Sequence, residues 1–135
     1  MATIDDMRNR AQDWYRQAER DARSARSLVT AAGYDSGCFL AQQSGEKALK
    51  AVALFRGYED VRSHSILRIC QALDIDGEIE EMGKKLDQYY ISSRYPDAFE
   101  EGAPFEYFTK AQAEEAVGFA ARIIEIVGQE LKYTA

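Results

Sequence analysis

Both prolines of this chain, Pro96 and Pro104, fall within one stretch, SSRYPDAFEEGAPF, at residues 92–105. Proline lacks an amide donor and clashes with the preceding helical turn, so helix interiors exclude it. On either side of that stretch the apolar residues recur at helical spacing. The chain therefore reads as helices interrupted by one rigid bend. Ile4, Met7, Ala11, Trp14, Ala18, Ala22, Ala25 and Val29 step by three and four, and Tyr15 widens the stripe. That is one helical face sustained for about seven turns. Arg8, Arg16, Arg20, Arg23 and Arg26 fill the opposite face. Asp6 stands four residues before Arg10 and Glu19 four before Arg23, the spacing of helix ion pairs. Gly33 is placed to close this helix in the left-handed conformation.

A second helix is expected from Asp35, read as its N-cap, to Gly57. Its apolar residues nearly encircle it, so it should be the most buried helix. It nonetheless carries a polar island of Gln42, Gln43, Glu46, Lys47 and Lys50. Gln43, Glu46, Lys47 and Lys50 share one side by their spacing. A short helix follows at SILRICQAL, then one over DGEIEEMGKKLDQYYISS with Ile79, Met82, Leu86 and Tyr89 in phase. The last helix starts near Thr109, without the acid that completes a capping box, and runs through Ala113, Ala116, Val117, Ala120, Ile124, Val127 and Leu131. The expected fold is all-α: an up-and-down four-helix bundle with an additional short helix, five in all, as one domain over residues 1–135.

Composition narrows the partners. A length of 135 residues suits one core. No apolar run approaches the roughly 20 residues that span a bilayer. The opening MATIDDMRNRAQDWYRQ lacks an apolar signal core, so no membrane partner is implied and a cytoplasmic location is expected. Cys38 and Cys70 fall in phase with apolar neighbours and read as small buried hydrophobes of a reducing compartment. A single histidine without ligand spacing implies no metal site. The net charge of −6 opposes nucleic-acid backbones except through a local basic patch. Alanine-rich stripes bury little area each, so a second copy covering one face, a homodimer, is expected.

Taken in order, the segments DWYRQAERDARSARSL, YDSGCFLAQQSGEKALKA, HSILRIC, YYISSRYPDAF and FEYFTKAQAEEA resemble the HEPN domain family. The resemblance covers nearly the whole chain, and QQSGEKALKA with SRYPD at this spacing carries most of its specificity. It implies a dimeric bundle of four main helices and a short fifth. It also implies, for many members, a separately encoded nucleotidyltransferase partner and nucleotide binding, in toxin–antitoxin-like pairs. Other branches are metal-independent ribonucleases that carry an arginine followed four to six residues later by histidine. Here Tyr95, Pro96, Asp97, Ala98 and Phe99 follow Arg94, and no histidine occurs beyond His64. The nuclease pair is absent from its place, so a non-catalytic protein is expected, with a divergent ribonuclease acting on RNA as the alternative.

The candidate ligand-binding residues are Gln43, Glu46, Lys47, Lys50, Tyr90, Arg94, Tyr95 and Asp97. Pro96 fixes its own φ and pushes Tyr95 toward an extended backbone, while Arg94 suits the carbonyls of the helix ending there. Arg94 either pairs with Asp97 or Glu46, or offers its planar fork to a phosphate beside a tyrosine that stacks on a base. Lys47 and Lys50 either snorkel from a buried helix, with Glu46 and Lys50 as an i, i+4 pair, or form a phosphate-holding lip. His64 reads as a helix-entry hydrogen-bonder or, in the ribonuclease alternative, as a base brought near Arg94 by folding. The arginine stripe reads as a solvated face. Asp97, Glu100, Glu101 and Glu106 form a solvated loop, or ligate a magnesium ion carried by a nucleotide. No cofactor is implied beyond that nucleotide ligand.

Overall fold

The computed structural model describes residues 2–133. Its helices are α1 (Ile4–Thr30), α2 (Tyr34–Phe55), α3 (Ile66–Ala72), α4 (Glu78–Asp87), α5 (Tyr89–Ser92), α6 (Pro104–Tyr107) and α7 (Lys110–Leu131), with a 3₁₀ turn at Pro96–Ala98. The fold is all-α, and no strand occurs among the described residues. α1, α2, α7 and the α4–α5 pair form the four rods, and α3 is the short extra helix. The expected fourth helix is divided at Gln88, which keeps helical dihedrals, so α5 continues α4 after a one-residue interruption. Among the described residues no helix is long and apolar enough to cross a membrane.

α2 is the central rod, in contact with α1, α7, α3, α4 and α5. Its expected burial is met: Leu49, Ala51, Val52 and Ala53 are wholly buried. Leu49, Ile66, Leu86 and Ile123 meet in the core, each contributing roughly 1.5–3 kcal/mol by leaving water. The small residues of QQSGEKALKA are what let α2 sit there. A methyl on Gly45 would stand 2.7 Å from Cδ1 of Ile66 and 3.3 Å from Cδ1 of Ile123. The Ser44 hydroxyl donates to the Ala18 carbonyl of α1 at 2.8 Å, closing the α1–α2 seam.

Several terminal assignments change. Ala32, not Gly33, takes the left-handed conformation after α1, with φ 64°. Its N–H bonds the Val29 carbonyl and that of Gly33 bonds the Leu28 carbonyl at 2.7 Å, so Gly33 sits one step further along the same motif. Gly33 is also the N-cap of α2, which displaces Asp35 into the first turn. Gly57 does close α2 with φ 97°. Thr109 has its reciprocal cap after all, because Gln112 replaces the acid. Asp6 is taken by the Thr3 cap rather than by Arg10, which pairs with Asp13 at 3.0 Å, and no ion pair to Arg23 occurs among the described residues. On α1 the buried aromatic is Tyr15, whose hydroxyl reaches the Ile124 carbonyl at 3.2 Å, while Trp14 stands at the edge.

Both cysteines are buried as expected, and burial pushes each thiol up to about 12, with Asp35 adding to the effect at Cys38. Neither is a thiolate near neutral pH, so neither is a nucleophile.

Candidate functional site

The polar face of α2 is closed by partners of opposite charge. Lys47 Nζ lies 2.6 Å from Oδ2 of Asp21, a buried acid of α1. Asp21 occupies the buried register of α1 alongside Ala18 and Ala25. A charge at such a position requires a partner, and Lys47 supplies it. One turn along α2, Lys50 Nζ lies 2.9 Å from Oε2 of Glu46, with only 10% of the lysine side chain exposed. Gln43 donates from Nε2 to the side-chain oxygen of Gln42 at 2.9 Å and more distantly to Glu46.

The other oxygen of Glu46 leads outward. Oε1 lies 3.4 Å from Nδ1 of His64, whose side chain is 61% exposed. The backbone of His64 is held by Gln42, which donates to its carbonyl at 2.8 Å and to Asp87 Oδ1 at 3.1 Å. Asp87 in turn accepts from the N–H groups of Ile66 and Leu67, at 2.9 and 3.0 Å, and from the Ser65 hydroxyl at 2.8 Å. One carboxylate from the end of α4 thus caps α3 and fixes the residue that precedes it. The His64 ring stacks on Tyr90, with centroids 5.3 Å apart and planes 13° from parallel.

The bend adds the remaining cation. Arg94 Nε donates to the Tyr90 carbonyl at 2.8 Å, the helix-end role expected of it. Its guanidinium carbon lies 4.4 Å from the Phe39 ring centre, 4.6 Å from that of Tyr90 and 4.9 Å from that of Tyr95. Among the described residues no carboxylate pairs with Arg94, so neither Asp97 nor Glu46 takes it. Its terminal N–H groups remain able to donate in the plane of the fork. Tyr95 has the extended backbone that Pro96 dictates and is exposed, and Asp97 is exposed in the 3₁₀ turn.

Folding therefore brings His64, Tyr90 and Arg94 together, with Tyr95 and Phe39 as further rings. Lys47 and Lys50 lie on the same helix face as Glu46 but are engaged by carboxylates, and Asp97 stands apart from the cluster's contacts. Two important side chains escape a reading of the sequence: Phe39 looks like one more core residue, and Asp87 acts only across the fold. Gln42 belongs to the polar island read from the sequence, but its partners lie on other elements. Asp21 did leave a signal, an acid in phase with an apolar stripe. Around the bend Phe99 stacks on Tyr107 with ring centres 4.4 Å apart, and Tyr89 meets Phe108 edge-on at 5.5 Å.

Residues 11–131 match the HEPN domain family, and the chain belongs to it. It is 28% identical over 130 residues to a Methanocaldococcus jannaschii protein named "Putative toxin MJ1304", spanning 87% of this chain and 85% of that one. Among solved structures, TT1696 from Thermus thermophilus is 40% identical with a TM-score of 0.84, covering 90% of this chain and 98% of that one. ST0689, an archaeal HEPN homologue, is 39% identical with a TM-score of 0.76, covering 90% and 97%.

Proposed function

We propose that this chain is the HEPN member of a toxin–antitoxin-like pair and that it binds the phosphate and base of a nucleotide at Arg94, Tyr90, Tyr95 and His64. The observation that carries the reading is the Arg94 guanidinium, which faces three aromatic rings and no carboxylate. A cation left uncompensated beside flat apolar surfaces suits a ligand with an anionic group next to a ring. The similarity to a protein named as a toxin supports the paired-system setting. In this reading the partner is a separately encoded nucleotidyltransferase, the working unit is a homodimer, and the setting is the cytoplasm. Ile91, Tyr95, Phe105 and Tyr107 supply exposed apolar surface for association around the bend. Lys47 and Lys50 are assigned to the internal ion pairs rather than to the phosphate.

Calorimetric titration with a panel of nucleoside mono-, di- and triphosphates tests the reading. Binding in the micromolar range is expected, and no heat at millimolar ligand refutes it. Co-purification with the product of an adjacent nucleotidyltransferase gene tests the partner.

One observation favours a second reading, metal-independent RNA cleavage. The buried carboxylate of Glu46 at His64 Nδ1 orients the imidazole and leaves Nε2 to take a proton from a ribose 2′-hydroxyl, while Arg94 would hold the phosphate. Incubation with mixed RNA in the presence of a chelator decides it. Cleavage lost in both His64→Ala and Arg94→Ala establishes the enzyme, and intact RNA removes it.

A further inference from the structure

A cavity of about 450 Å³ opens between the first turns of α1, the last turns of α2 and the loop that leads to α3. Its size falls within the roughly 300–1,000 Å³ range of small-molecule sites. Trp14, Leu54 and Val61 give it apolar walls. Arg10 and Lys50 present donors to it, and Glu59 and Asp60 present acceptors. Lys50 Nζ also stands 5.4 Å from the Trp14 ring centre.

The charges there select against polyanions. Arg10 is already paired with Asp13 and Lys50 with Glu46, while no cation pairs with Glu59 among the described residues. A triphosphate would meet neutralised cations and a free carboxylate. A neutral heteroaromatic ligand instead finds a flat ring to stack on. Arginine and lysine match the O6 and N7 acceptors of a purine edge. Carboxylates at the rim match amino and ribose hydroxyl donors.

Lys50 also joins this cavity to the cluster at the bend. Its carboxylate partner Glu46 bridges it to His64, with Lys50 on Oε2 and the imidazole on Oε1. A ring seated on Trp14 lies beside Lys50 Nζ and so alters the field that the intact Lys50–Glu46 pair presents to His64. We propose that the Trp14 cavity is a second ligand site, for a neutral purine nucleoside, and that its occupancy is transmitted to His64 through Lys50 and Glu46. The cavity does not depend on the nucleotide reading of Arg94, whereas His64, where the link is read, belongs to the site of that reading.

The sequence provides a reporter at each end, since Trp14 and His64 are the single tryptophan and histidine. Guanosine is titrated into the full chain while the Trp14 indole N–H and His64 ring C–H resonances are followed by NMR. Both should move along one saturation curve. Glu59→Lys, on an exposed loop, should weaken guanosine about tenfold. Glu46→Gln should keep the Trp14 response and abolish that of His64, and Arg94→Ala should leave the Trp14 response unchanged even if nucleotide binding fails. The site is overturned if Trp14 does not respond to millimolar guanosine, or if guanosine triphosphate binds there more tightly than guanosine. The link is overturned if Trp14 responds while His64 stays still, or if His64 keeps moving in Glu46→Gln.

Discussion

The two sets of cations in the candidate site are built on opposite principles. On the α2 face, Lys47 and Lys50 each meet a buried carboxylate, Asp21 and Glu46, at 2.6 and 2.9 Å. Past α5, Arg94 meets the rings of Phe39, Tyr90 and Tyr95 and no acid. A buried ion pair is closed: each partner consumes the charge of the other, and breaking it leaves an unpaired charge in low dielectric. A guanidinium on aromatic faces is open. The rings satisfy its flat surfaces while the N–H edge stays available. The motif QQSGEKALKA thus uses its cations to hold the bundle, while SRYPD leaves its arginine without an acid.

The comparison can be broken most forcefully by substituting Glu46. Glu46→Ala strands Lys50 in the core and should lower unfolding stability by about 3–5 kcal/mol in urea titrations. A change below about 1 kcal/mol would mean that the α2 pair is not closed. Asp87→Ala should follow at about 2 kcal/mol, because the cap of α3 and the Gln42 anchor are lost together. The same variant should release His64 from Tyr90, seen as loss of ring-current shift in the His64 resonance. Arg94→Ala should cost under about 1 kcal/mol, the worth of a partly exposed cation–π contact. A stability loss as large as that of Glu46→Ala would make Arg94 a structural residue.

The smallest expected effect lies at the start of α1, far from either cluster. Hydrogen bonds from the Thr3 backbone N–H and then its hydroxyl hold the Asp6 carboxyl below its usual 3.8. An acid with a depressed folded value stabilises the fold above its unfolded value and loses that contribution as pH falls through the folded one. Asp6→Asn should therefore be slightly less stable than the parent at neutral pH. The two should converge as pH drops below the carboxylate range, and a gap that widens on acidification would reverse the assignment.

The helices were legible because their stripes are local: three- and four-residue steps are written along the chain and need no fold to be read. The Glu46–Lys50 pair and the extended Tyr95 before Pro96 were legible for the same reason. The site was legible only in its members. That Lys47 belongs to Asp21, that Asp87 caps a helix earlier in the chain, and that Phe39 lies under Arg94 are contacts between separate rods, which spacing along one rod cannot encode. Gly33 illustrates a subtler limit. The turn motif after α1 was rightly located, but Ala32 adopts the left-handed conformation because the glycine is needed at the next position, where a methyl would stand 3.3 Å from the Leu28 carbonyl oxygen.

The most direct measurement compares nucleotide affinity in the parent, Arg94→Ala and Lys47→Ala by calorimetry, each variant first confirmed as folded by circular dichroism. Binding that disappears in Arg94→Ala and changes less than about threefold in Lys47→Ala is the predicted result. Binding that survives in Arg94→Ala but disappears in Lys47→Ala would place the anion on the α2 face and contradict the division between closed and open cations.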